Sequence, residues 1–265
     1  LRLIGLLLAT AFAVPAMAEE TPKILRVVSG QEFPPFNFTG PDGKTTGLVP
    51  ERWQRWQRAT GIQVQLITLP WAEAQKAIQD GSADVIEPIA RTPKREPLLD
   101  FSAPYTAISG ILVFHKSLSG IVDVATSRPF TIGAQAGDAC IERLAAKGRT
   151  DNVLVYPSSV EVIRAATSSK IHVFCMNAYT ANYLLARENL TDEFRRSPLL
   201  STTSAHWAVR KGNSALLAQI NAGFARIPEA ELRAMQDKWL GAQMVRSVQP
   251  PYLKPVLYGA GALAL

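Results

Sequence analysis

The feature that most constrains this chain is a strand–helix alternation that occurs twice. "ILRVVS" (24–29) is a β-branched apolar run and reads as a buried strand. "VPERWQRWQRATG" reads as a helix, with Pro50 near its first turn, Trp53 and Trp56 on one face and Gly61 as its stop. "IQVQLITL" alternates as a strand, "WAEAQKAIQDG" is a helix with a Gly stop, and "ADVIEPI" is a short buried strand. Parallel strands need crossovers, so this β-α-β-α-β order predicts a mostly parallel sheet with helices on its faces. "PFTIGAQAG" (129–137), "DACIERLAAKG", "NVLVYPS", "SVEVIRAATSS" and "IHVFCMN" repeat the order, and "AYTANYLLARENL" adds a helix. "SGILVFHK" (109–116) and "AHWAVRK" are further strands. Two amphipathic helices follow, "SALLAQINAGFARI" and "EAELRAMQDKWLG". Two α/β halves in one chain predict a cleft between them, and ligands favour such interfaces and the carboxyl ends of parallel strands.

The chain ends read differently. "LRLIGLLLATAFAVPAMAEE" has Arg2, an apolar run, Pro15 and an Ala16-Met17-Ala18 cleavage pattern, so residues 1–18 are expected to be a signal peptide. About 225 residues then remain before the tail, enough for two cores. A hydrophobic fraction of 47% with 19% charged residues excludes a disordered chain. The net charge of +6 comes from scattered residues, which suits anionic ligands or surfaces and argues against a nucleic-acid partner. Export permits a disulfide, and Cys140 and Cys175 are an even pair. No CxxC occurs and His115, His172 and His206 are dispersed, so no metal site and no cofactor are expected. At the other end, "AQMVRSVQPPYLKP" reads as a linker (242–255), and "VLYGAGALAL" (256–265) reads as the start of a truncated transmembrane helix.

In order, the chain carries "FPPFNF…DGKTTGL", "LPWAEAQKAIQDGSADVI", "RTPKREPLLDFSAPY", "FTIGAQAG", and "AVRKGNSALLAQINAGFARI" with "DKWLG". This succession resembles the extracellular solute-binding family whose best-known members bind polar amino acids, over about Ile24 to Gly241. The resemblance implies an α/β, two-lobed type II periplasmic-binding-protein fold, a Venus flytrap. Lobe 1 would be 23–113 and 208–241, and lobe 2 would be 117–205. The hinge would lie near Phe114–Lys116 and Ala205–Trp207.

The resemblance also assigns roles. Arg95, in "TPKRE", matches the arginine that holds the ligand carboxylate, a role its planar fork of donors suits. Read locally, Arg95 is equally a surface residue between Lys94 and Glu96. Ala90 falls where a backbone N–H meets the same carboxylate, and Pro88 replaces a common serine nearby. Phe33 and Trp71 match the aromatic pair that sandwiches the ligand, with core packing as the alternative for each. Phe36 and Phe38 are assigned to the core. Asp138 stands at a helix N-terminus suited to an anion, or serves as its N-cap. Asn177 stands where amino-acid binders of the family place an aspartate for the ligand ammonium, so that neutralisation is lost. Either another acid compensates, with Glu87 and Asp138 the candidates, or the ligand lacks an α-ammonium; Glu87 could equally hold a cationic side chain or be a strand-end surface residue. Cys140 and Cys175 would border the cleft, and a bridge between them would pin two ligand loops together.

The resulting expectation is a periplasmic, membrane-anchored sensor domain. It is expected to bind a small carboxylate-bearing solute, an amino acid, with a cationic one such as arginine accommodated by Phe33, Trp71 and Glu87. A homodimer would form through the full-length sensor. A free receptor of an uptake transporter is the competing reading. An enzyme like the family's secreted cyclohexadienyl dehydratase is disfavoured, because no triad, metal motif or phosphate loop is present.

Overall fold

The computed structural model describes residues 24–241. The signal-peptide, linker and membrane-helix expectations lie outside the described residues.

The first half follows the predicted alternation. It runs β1 (Leu25–Gly30), a short hairpin of β2 (Phe38–Thr39) and β3 (Thr45–Thr46), then α1 (Leu48–Thr60) and β4 (Val64–Leu69). Next come α2 (Trp71–Asp80), β5 (Val85–Ala90) and β6 (Leu99–Phe101). The second half contains β7 (Thr106–His115), β8 (Ile132–Gln135), α3 (Ala139–Ala146), β9 (Val153–Tyr156) and α4 (Ser159–Thr167). It continues with β10 (Val173–Asn177), α5 (Ala178–Arg187) and β11 (Phe194–Arg196). The return strand β12 (Ser201–Arg210), α6 (Ser214–Phe224) and α7 (Glu229–Gln236) follow, and Asp237–Gly241 closes as a π-helical turn.

The main sheet is ordered β4-β1-β5-β12-β7-β10-β8-β9. β4, β1 and β5 are parallel, as are β10, β8 and β9. The two parallel groups are joined by antiparallel pairings through β12 and β7. Thr106–Gly110 of β7 pairs with Ser201–Ala205 of β12. Beyond that stretch the strands diverge. β7 continues against β10 from Gly110 to Phe114, and β12 continues against β5 and β6. The chain therefore passes between the halves twice, along two adjacent strands. Phe114 and His115, at the expected hinge, pair with β10 and β11.

Each half has apolar clusters on its part of the sheet. In the first, Trp53 and Trp56 of α1 are buried against Phe224 and Ile220 of α6. Trp53 meets the Phe224 ring at 5.2 Å, and Trp56 Nε1 donates to the Ile220 carbonyl at 3.0 Å. Ile78 and Ile86 pack in a separate cluster under α2. In the second half, Phe174, Leu184 and Ile163 form one cluster, and Ile132, Leu144 and the two cysteines sit in another. Phe36 and Phe38 are buried, as expected.

Gly223 of α6 lies close against α1. A Cβ there would lie 2.2 Å from Trp56 Nε1. Trp56 is buried and tied to Ile220, so it cannot yield cheaply. Gly223→Ala is therefore expected to destabilise the protein by about 1–3 kcal/mol, the usual cost of overpacking. Urea unfolding would test this, and an unchanged midpoint would contradict the packing described.

Candidate functional site

Six segments converge on one cavity of about 50 Å³ between the halves. Gly30, Gln31 and Phe33 come from the end of β1 and its loop, and Trp71 from the start of α2. Pro88 and Ala90 come from β5, Arg95 from the turn after it, and Ile108 from β7. The second half contributes Gln135, Asp138, Ala139, Arg143 and Asn177. These are the loops that follow parallel strands, where the alternation predicted a cleft.

Of the residues expected at the site, Phe33, Trp71, Ala90, Arg95, Asp138 and Asn177 line this cavity. Arg95 is 5% exposed. It donates to the Ala90 carbonyl at 2.9 Å and to the Gly137 carbonyl of the opposite half at 2.9 Å. Its Nε is buried with no partner among the described residues. Burial pulls the guanidinium below its ordinary pKa, and the charges of Asp138 and Glu142 oppose that shift. Trp71 Nε1 and Gln75 Nε2 also donate to the Gly137 carbonyl, at 3.0 and 3.2 Å. Three donors of the first half thus meet one acceptor of the second. At another edge of the cleft, Thr180 Oγ1 donates to the Pro34 carbonyl at 2.9 Å.

The aromatic pair is less open than expected. The Phe33 ring stacks on Phe36 at 5.0 Å, and the Arg95 guanidinium lies 5.5 Å from the Trp71 ring centroid. Trp71 therefore already faces a cation of the protein itself.

Glu87 is not brought to the cavity. Along β5 successive side chains point to opposite faces, and it is Pro88 and Ala90 that line the site. The Glu87 side chain is fully buried on the other side, with Arg52 Nε donating to its Oε1 at 3.0 Å. Arg52 in turn lies 4.1 Å from the Tyr105 ring centroid and 4.6 Å from that of Phe224. Burial, then the Glu87 charge, pushes the Tyr105 hydroxyl well above its ordinary pKa. The expected roles of Glu87 in compensating Asn177 or gripping a cationic side chain are corrected accordingly: it is the counter-charge of a core arginine. Glu87→Gln keeps an acceptor for Arg52 but leaves that guanidinium buried without its counter-charge, so it is expected to cost about 3–5 kcal/mol of stability. Ligand affinity should be unchanged. A thermal melt paired with calorimetry checks both, and intact stability with lost binding would return Glu87 to the site.

Asp138 is the N-cap of α3, its Oδ1 accepting from Cys140 N at 2.6 Å, while its charge also reaches Arg95 and Arg143. Asn177 caps α5, its Oδ1 accepting from Tyr179 N and Thr180 N at 2.8 and 3.3 Å. Both caps border the cavity and lie two residues from a cysteine. Cys140 and Cys175 form a disulfide with Cα atoms 5.9 Å apart, tying the start of α3 to β10. Arg143 and Gln135 were not anticipated. Arg143 lies four residues after Ala139 on α3 and so shares its face, a spacing that would have marked it once Asp138 was placed.

A family model for bacterial extracellular solute-binding proteins, family 3, matches residues 25–242. The chain belongs to this family. Among family relatives, the L-cystine-binding protein TcyJ of Escherichia coli (strain K12) is 27% identical over 218 residues, covering 81% of each chain. The virulence sensor protein BvgS of Bordetella pertussis is 24% identical over 216 residues, 80% of this chain and 17% of that protein. A histidine kinase sensor domain with similarity to periplasmic binding proteins superposes with a TM-score of 0.76 at 22% identity, covering 82% of this chain and 96% of that one. The fold is thus the two-lobed α/β type of the solute-binding family. Among the described residues no helix is long and apolar enough to cross a membrane, and no cluster of three metal-ligating side chains occurs.

Proposed function

We propose that this solute-binding protein acts in the periplasm by closing two lobes on a small carboxylate-bearing solute, with Arg95 as the carboxylate anchor. The observation that carries this reading is Arg95 itself: a buried guanidinium at the cavity wall with an unpartnered Nε, held by the Ala90 and Gly137 carbonyls. A fixed fork of donors is suited to a planar carboxylate. We assign lobe 1 to 23–113 and 208–241 and lobe 2 to 117–205, with the hinge moved to the stretch where β7 and β12 pair. Closure then shifts a population between open and shut forms. A cationic ligand side chain is disfavoured, since Glu87 faces Arg52 and Trp71 faces Arg95.

The output we favour is signalling across the membrane, supported by the relative BvgS, in which a comparable segment belongs to a longer sensor. Delivery to a transporter is the second reading, supported by TcyJ, which the chain matches over most of its length. Two measurements separate these ideas. A thermal-shift screen against amino acids and organic acids tests the receptor, and no stabilisation by any carboxylate would sink it. Cell fractionation of the native gene product tests the output: release by osmotic shock supports the free receptor, and retention in membranes supports the sensor.

A further inference from the structure

The polar groups of the cavity lean toward donors, because the Asn177, Gly137 and Ala90 oxygens are already engaged and only Asp138 and Gln31 add further acceptors. Asn177 is 5% exposed, and both of its Oδ1 hydrogen bonds go to the first turn of α5. What remains is Nδ2, buried and unpartnered. The N-cap role fixes this orientation, since a backbone N–H can donate only to the oxygen. The Gly137 carbonyl takes donors from Trp71, Gln75 and Arg95, and the Ala90 carbonyl takes Arg95. Asp138 is the one acid lining the cavity; its Oδ1 caps α3, and its charge acts on both Arg95 and Arg143.

Arg143 is the second cation. Its half-buried guanidinium makes no hydrogen bond or ion pair to the described residues. Gly110 of β7 makes room for it, since a Cβ there would lie 3.0 Å from Arg143 Nη1. Near the same point lies Ser201 Oγ, buried and without a partner. Two guanidiniums, the N-termini of α3 and α5 at roughly half a charge each, and one carboxylate leave the walls with about two positive charges.

An α-ammonium would find little to accept its protons here and would face two guanidiniums and the Asn177 amide. We propose that the solute is a compact dicarboxylate without an ammonium group, one carboxylate on Arg95 and the other on Arg143. This refines the receptor reading and rests on it.

Calorimetric titration of the purified full chain tests the proposal with matched probes. Succinate and 2-oxoglutarate are compared with aspartate and glutamate, which share their skeletons but carry an ammonium. Succinate is also compared with butyrate, which lacks the second carboxylate. At least one diacid should bind about ten-fold or more tighter than its ammonium-bearing counterpart, and succinate should exceed butyrate similarly. Arg143→Gln should abolish the succinate–butyrate difference, lowering succinate affinity by much more than butyrate affinity. Asn177→Asp, which keeps the cap and adds an acceptor, should move the preference toward aspartate. Aspartate and glutamate binding as tightly as the diacids overturns the proposal, as does a folded Arg143→Gln protein that keeps the succinate–butyrate ratio. Amino acids bound in an Arg95-dependent way leave the receptor reading standing while overturning this one. Silence from every carboxylate overturns both.

Discussion

Arg95→Ala is expected to raise the dissociation constant of the bound carboxylate by about thirty-fold or more. Truncating one partner of a desolvated, hydrogen-bonded charge pair costs about 2–5 kcal/mol, and each 1.4 kcal/mol is ten-fold in affinity. Two further effects act in the same direction. The variant loses the Arg95–Gly137 bond between the halves, and it removes the cation that faces Trp71. Arg95→Lys keeps the charge but loses the planar fork, so it should recover only part of the affinity. Calorimetry with the solute that gives the largest thermal shift measures both variants, with circular dichroism to establish folding. A folded Arg95→Ala protein that binds normally would exclude Arg95 as the anchor.

Opening the Cys140–Cys175 bridge should have the largest effect on stability. The cysteines are 35 positions apart. Chain-entropy arithmetic for a loop of that size gives about 4 kcal/mol of stabilisation through the unfolded state. At about 2–4 °C per kcal/mol for a chain of this size, the reduced protein should melt about 8–15 °C lower. The bridge also holds α3 and β10 beside the Asp138 and Asn177 caps, so affinity should fall as well. Reduction of the wild-type protein isolates the crosslink without changing the sequence, and a Cys140→Ala/Cys175→Ala double variant provides a second measurement. Reduction without a shift in melting temperature would show that the bridge does not constrain the unfolded chain.

The helices and central strands were legible because their signals are local. Gly61 and Gly81 stop α1 and α2 in left-handed backbone conformation, and the apolar runs between helices are the parallel strands. β12 was foreseen only from Ala205 onward. Its first residues, "STTS", carry no apolar alternation, and their strand character comes from pairing with Thr106–Gly110. β6, β11 and the small hairpin are likewise too short to have a pattern of their own. At the site, side-chain direction was the missing information. All six residues of β5 are buried, so burial could not show that Pro88 and Ala90 face the cavity while Glu87 faces Arg52. Arg143 looked like an ordinary basic residue near a helix C-terminus, where it also complements the helix dipole.

The Gly137 carbonyl deserves a kinetic reading. Its bonds to Trp71, Gln75 and Arg95 join residues of the protein to one another, so they belong to the shut shape whatever occupies it. Each such bond contributes about 0.5–1.5 kcal/mol net, less when three donors share one oxygen. A receptor that latches itself in this way has a background level of closure when solute is scarce. It also releases its solute only after the latch lets go, so occupancy outlasts brief drops in concentration. On the receptor reading proposed above, the oxygen of one glycine would thereby help set both the threshold and the memory of the device.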